Sequence, residues 1–168
     1  MSKFRLHFTE QDAIRAFDEW GSNCGPGAIA AIAGLSLDEL RPHLGDFEKK
    51  KYTNPLLMYQ ILRSLNLKTS MRKPPQWTTF GLVRVQWEGP WMDPGVPIAA
   101  RYRHTHWVGA ATVNERVGVF DINCMNSGGW VSLDDWSRVI APYLIEHHAK
   151  KANGKWHITH AIEVERTD

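Results

Sequence analysis

The stretch Trp20-Gly21-Ser22-Asn23-Cys24-Gly25-Pro26-Gly27, continuing through Ala28 to Gly34, limits what this chain can fold into more than any other. Ile29 and Ile32 lie three apart and the positions around them are alanine, which predicts a helix packed closely on several sides. Pro26 suits the first helical turn, where its missing N–H costs nothing, and Gly34 supplies a C-terminal stop. Gly21 and Ser22 loosen the backbone just before Cys24. The stretch therefore reads as a loop that runs into a buried helix with a thiol at the junction. A thiol there meets unpaired N–H groups and the positive end of the helix dipole, both of which favour thiolate. On this stretch alone two readings are open: a nucleophile, or a small buried hydrophobe, which is what most unpaired cysteines are.

With 168 residues, 43% hydrophobic and 23% charged, the sequence predicts one domain over residues 1–168 with a full core. A formal charge of +2 gives no nucleic-acid footprint, and Glu48-Lys49-Lys50-Lys51 reads as a solvated loop. The eight tryptophans read as core and groove lining rather than base-stacking platforms. Two cysteines, Cys24 and Cys124, make no disulfide framework. Met1-Ser2-Lys3-Phe4-Arg5-Leu6-His7 has no apolar core of signal-peptide length, and no apolar run is long enough to span a membrane. The expected location is the cytoplasm, with no nucleic-acid partner and no membrane partner.

Taken in order, the first part of the chain reads as helical. Thr9-Glu10-Gln11-Asp12 caps a helix carrying Ile14, Phe17 and Trp20. The Cys24 helix follows. Ser36-Leu37-Asp38-Glu39 is a capping box that opens a helix ending near Leu44. Asn54-Pro55 opens a third, with Leu57, Ile61, Leu62 and Leu65 as its apolar stripe. After Lys73-Pro74-Pro75 the period changes. Gly81 to Trp87, Val96 to Tyr102, His106 to Val113 and Val117 to Ile122 read as strands, with Asn114-Glu115-Arg116 as a hairpin turn. Ser132-Leu133-Asp134-Asp135 opens a helix through Trp136, Val139, Ile140 and Leu144, and Trp156 to Val164 is a last strand. Helices followed by an antiparallel sheet predict an α+β domain in two lobes.

A cysteine nucleophile needs a base to take its proton, and the base needs an orienting acceptor. The hairpin supplies both, because its turn brings His106, at the start of one strand, beside Asp121, at the end of the next. Each alone is weak: a strand histidine is more often structural, and an aspartate before a glycine-rich loop is more often a turn former. Together with a helix-capped cysteine they predict a catalytic set of Cys24, His106 and Asp121. Asn123 competes with Asp121 as the orienting acceptor. Asp121, at a strand end, reads as replaceable without loss of the fold. Period two puts His104 on the same face as His106. With no Cys-x-x-Cys and no His-Glu-x-x-His, neither a metal site nor a cofactor is predicted. Cys124 reads as a structural thiol, and His147, His148, His157 and His160 as surface or core filler.

Asn23-Cys24-Gly25-Pro26-Gly27-Ala28 resembles the nucleophile motif of papain-like cysteine peptidases, closest to the bacterial branch that includes the bacteriocin-leader-processing peptidases. Val96-Pro97-Ile98-Ala99, His106-Trp107-Val108 and Val119-Phe120-Asp121 resemble that branch's strand, histidine and aspartate segments in the same order. Gly128-Gly129-Trp130 through Trp136 resembles its glycine loop and closing helix. The resemblance implies a papain-like fold, with a helical lobe carrying the cysteine helix packed on a C-terminal antiparallel sheet. It also implies Cys24, His106 and Asp121 in the cleft, and a peptide or protein substrate. One departure stands out: the family places an oxyanion-hole glutamine shortly before the cysteine, and Phe17 to Asn23 contains none. Asn23, Ser22 and the Trp20 indole are the candidate substitutes, beside the Cys24 N–H. The expected activity is a cysteine peptidase or hydrolase acting on a peptide or isopeptide bond through an acyl-enzyme. A cysteine acyltransferase on the same triad, and a papain-like module that binds a peptide or protein with weak catalysis, are the competing expectations.

Overall fold

The computed structural model describes residues 4–166; residues 1–3, part of the stretch read above for a signal, and residues 167–168 lie outside it. Helix α1 (Glu10–Trp20) starts where the Thr9 hydroxyl accepts the Asp12 N–H at 3.2 Å and the Asp12 carboxylate accepts the Thr9 N–H at 2.8 Å. Its buried face is Ala13, Ala16 and Trp20, whereas Ile14 and Phe17 are 54% and 51% exposed. The expected stripe of Ile14, Phe17 and Trp20 is therefore corrected. The two alanines let α1 come in close, near enough for its Ala13 carbonyl to accept the Asn23 amide at 2.9 Å.

Helix α2 (Cys24–Ala33) is buried from Gly25 to Ile32 and closes at Gly34, whose φ of 66° lies in the left-handed region. Its glycines are sites of close approach. A Cβ at Gly25 would lie 2.2 Å from Thr53 Oγ1, and one at Gly27 2.4 Å from Ile122 Cδ1. Burying a side chain such as Ile29, which has no exposed surface, contributes about 1.5–3 kcal/mol. Around α2 pack α3 (Leu37–Leu40), opened by the Ser36–Glu39 capping box, α4 (Phe47–Lys50) and α5 (Pro55–Ser64), whose Asn54 side chain caps Leu57 N–H.

The sheet has six strands, β1 (Thr69–Met71), β2 (Phe80–Trp87), β3 (Thr105–Val113), β4 (Arg116–Phe120), β5 (Trp130–Ser132) and β6 (Trp156–Val164). All pairs are antiparallel, in the order β1-β6-β2-β3-β4-β5. Val113 pairs with Arg116 across a two-residue turn, with Asn114 and Glu115 at φ 49° and 62°. The short edge strand β1 has no counterpart in the sequence reading.

Val96 to Tyr102 is not a strand. It contains the short helix α6 (Ile98–Arg101), preceded by Pro97 as its N-cap. β2 is already flanked by β3 and β6, so the sheet leaves no edge there, and Ala-Ala-Arg after a proline favours a helical turn.

Leu82, Trp107, Ala111, Phe120 and Ile162 face the core around α2. Val83, Val85, Val108, Ala110 and Val119 face a second core, closed by α7 (Leu133–Asp135), a wide turn at Trp136–Ile140 and α8 (Ala141–His148). Within that segment Trp136 and Leu144 are buried, while Val139 is 60% exposed. The protein is thus α+β, with helices on both faces of one antiparallel sheet. Among the described residues no helix is long and apolar enough to cross a membrane.

Candidate active site

Cys24 is the first residue of α2 and is partly exposed; His106 lies near the start of β3, and Asp121 directly follows β4. The β3–β4 register sets Gly109 opposite Phe120. Continued one step, it puts Asp121 opposite Val108, so His106 is its diagonal neighbour on the same face. The His106 Nε2 to Asp121 Oδ2 distance is 2.8 Å. That leaves Nδ1 as the ring nitrogen free for Cys24, whose thiol His106 shifts toward thiolate. The Trp107 backbone N–H also favours the Cys24 thiolate.

Asp121 has no exposed surface and is fully occupied. Its Oδ2 accepts from His106 and from the Trp136 indole N–H at 2.9 Å. Its Oδ1 accepts the backbone N–H and the side-chain amide of Asn123, at 3.0 and 2.9 Å. Asn123 therefore anchors the aspartate, and the carboxylate alone meets the imidazole. A buried carboxylate with four donors is a structural anchor as well, which corrects the premise that Asp121, at a strand end, lies outside the core.

The electrostatics favour an ion pair. Burial opposes a charged His106, yet the Asp121 carboxylate, with help from Cys24, pushes it up to about 10. Burial likewise opposes ionisation of Asp121, but His106, Trp136 and Asn123 hold it down at about 2. For Cys24, burial works against the thiolate and is outweighed by His106 and the Trp107 N–H, so the thiol sits below its usual range. Cys124 is the contrast: burial, then the Asp121 charge, push it up to about 12. Its thiol is inert near neutrality.

A cleft of about 710 Å³ opens at Cys24, bounded by Ser22, Thr53, Arg84, Tyr102, Thr105 and Trp107 among others. The Trp107 indole N–H donates to the Thr53 carbonyl at 2.9 Å, tying the sheet to the helical side across the cleft floor. Of the proposed oxyanion donors, two are engaged elsewhere. The Trp20 N–H donates to Glu48 Oε1 at 3.2 Å, and the Asn23 amide to Ala13 O at 2.9 Å. Ser22 lines the cleft beside Cys24. His104 precedes β3 and stacks on Trp91, with ring centroids 3.7 Å apart, and it does not line the cleft at Cys24. Among the described residues, no cluster of three or more His, Cys, Asp or Glu side chains is arranged to hold a metal ion.

Sequence reasoning missed three participants. Trp136 was read only as a helix residue, although an indole N–H buried in a core demands an acceptor. The Trp107 main chain carries no side-chain signal. Arg84 did have one: it is the only charged residue in a strand whose other residues, Gln86 apart, are apolar or glycine. No protein-family model, curated protein or solved structure matches the chain.

Proposed function

We propose that the protein is a cysteine hydrolase of papain-like arrangement, acting on a peptide or isopeptide bond through Cys24, His106 and Asp121. The observation that carries this reading is the buried imidazole held by Asp121 at 2.8 Å on Nε2, beside a Cys24 thiol that His106 shifts toward thiolate. In this scheme the Cys24 thiolate attacks the substrate carbonyl, and the oxyanion that forms lies at the α2 N-terminus, where the Cys24 N–H has no acceptor within the helix. The His106 imidazolium gives its proton to the departing amine, leaving a thioester on Cys24. Neutral His106 then takes a proton from water, whose oxygen attacks the thioester and releases the acid. Asp121 holds the ring and stabilises each imidazolium stage.

The engagement of the Asn23 amide and the Trp20 indole N–H elsewhere favours a second reading, a cleft that binds a peptide and turns it over slowly. Losing one oxyanion donor lowers the rate on the order of 10²–10³-fold. Both readings are tested by incubating the protein and its Cys24→Ala variant with a mixed-sequence peptide pool in H₂¹⁸O. Products carrying ¹⁸O at new C-termini, formed only with Cys24 present, support hydrolysis. Transpeptidated products without ¹⁸O point to acyl transfer. Retention of peptides with no Cys24-dependent product supports the binding module.

A further inference from the structure

Arg84 lies on β2 directly opposite Trp107 on β3, so both side chains emerge on the face of the sheet that lines the cleft with Cys24. It is only 6% exposed. Among the described residues it has no carboxylate partner. Its guanidinium makes one long side-chain contact, Nη2 to Thr105 Oγ1 at 3.3 Å, and its buried Nε has no acceptor at all. The group packs near the rings of Tyr102 and Trp107, 5.2 and 6.0 Å from their centroids.

Arginine stays charged in proteins, and an unpaired buried charge is among the costliest features a fold can carry. Such a group persists where it has a partner that arrives later. The surroundings specify that partner's sign. Lys51 and Arg103 also line the cleft, and no aspartate or glutamate does. The planar fork with a free Nε matches a carboxylate, which arginine binds through two parallel hydrogen bonds. Resting on the hydrolase reading above, we infer that Arg84 is a specificity residue that binds a substrate carboxylate beside the bond Cys24 attacks. An Asp or Glu side chain and a free chain terminus share this chemistry.

The test compares alkylation of Cys24 by iodoacetate and by iodoacetamide at pH 6, followed by mass spectrometry, with N-acetylcysteine as the free-thiol standard. Taking the ratio of the two rates cancels any change in thiolate content. In the unaltered protein the iodoacetate-to-iodoacetamide ratio should exceed that of N-acetylcysteine by about tenfold or more, the scale of one hydrogen bond to a charged group. Arg84→Met should remove most of that preference and Arg84→Lys should keep part of it. A ratio equal to the free-thiol value, or one unmoved by Arg84→Met, overturns the inference and leaves the nucleophile reading intact. If Cys24 reacts no faster than N-acetylcysteine with either reagent, the hydrolase reading fails instead.

A binding measurement then decides the role of Arg84 independently of thiol chemistry. Cys24→Ala protein is titrated calorimetrically with N-acetyl-Gly-Asp-Gly-amide, N-acetyl-Gly-Asn-Gly-amide and N-acetyl-Gly-Asn-Gly with a free carboxylate. Tighter binding of the Asp peptide assigns the site to a side chain, and tighter binding of the free acid assigns it to a terminus. Either preference should vanish when Arg84→Met is added. Equal binding of all three overturns the inference.

Discussion

Replacing Asp121 by asparagine separates orientation from charge. The asparagine carbonyl can take the position of Oδ2 and accept from both buried donors, His106 Nε2–H and the Trp136 indole N–H. The new amide then faces Asn123, an exposed residue whose side chain is free to turn away; only the Asn123 backbone N–H stays opposed. Ring position is kept and the negative charge is lost. Opposite charges at about 4 Å interact by about 4 kcal/mol at an effective dielectric constant of 20, or about three pKa units. With Cys24 helping and burial opposing, the Asp121 carboxylate raises His106 from 6.5 to about 10. In Asp121→Asn the imidazolium should therefore lose its proton about three units lower, close to neutrality, since burial still opposes the charge. The assay is an NMR titration of the ¹³Cε1–H signal of His106 between pH 5 and 11, with circular dichroism to show that the variant is folded. A midpoint moved by less than about half a unit would refute the claim that Asp121 holds the imidazolium by charge. So would an unaltered protein whose His106 titrates near 6.5.

Three further outcomes follow from the same geometry. The His106 contribution to stability is fully present below its unfolded value of 6.5 and is lost as pH rises toward about 10; that of Asp121 is present above 3.8 and lost as pH falls toward about 2. On the alkaline side the depressed Cys24 thiol gains stability as His106 loses it, so the clear signal is on the acid side: urea unfolding should show stability falling as pH drops from about 4 toward 2, and no loss there would contradict the pairing of Asp121. Asp121→Ala, which strands a buried imidazole and the Trp136 N–H, should lower unfolding free energy by about 3–5 kcal/mol. Asn123→Ala, at the exposed end of the network, should cost about 1 kcal/mol; the reverse order would mean that the buried network is misdescribed. Gly25→Ala drives a methyl group into Thr53 and should destabilise by about 1–3 kcal/mol, part of which Thr53→Ala in the same chain restores. Additive costs for that pair would show that the two residues do not touch.

The elements with strong local signals were legible. Alanine, proline and glycine at fixed offsets delimit α2, and the Ser36–Glu39 and Asn54–Pro55 caps mark the starts of α3 and α5. The β3–β4 hairpin was readable because a two-residue turn fixes register, and register brings His106 to Asp121. What escaped depends on tertiary context. Val96 to Tyr102 alternates well enough for a strand, but β2 had both neighbours taken. The α1 face was misassigned because close approach selected Ala13 and Ala16 over the larger Ile14 and Phe17. Trp20 and Asn23 sit at the right place in sequence for an oxyanion donor, and only the folded chain reveals Glu48 and Ala13 as their acceptors. The choice between Asp121 and Asn123 likewise needed three dimensions, since both follow β4 within three residues.

The activation of the Cys24 thiol is tested most directly by its rate of alkylation by iodoacetamide between pH 4 and 10. Peptide mass spectrometry separates it from Cys124. The pairing with His106 predicts labelling of Cys24 that is already substantial at pH 5–6, with a midpoint well below the free-cysteine value of about 8.5, and no labelling of Cys124 in the folded protein. A Cys24 profile with a single midpoint at or above about 8.5, or faster labelling of Cys124, would contradict the assignment of Cys24 as nucleophile.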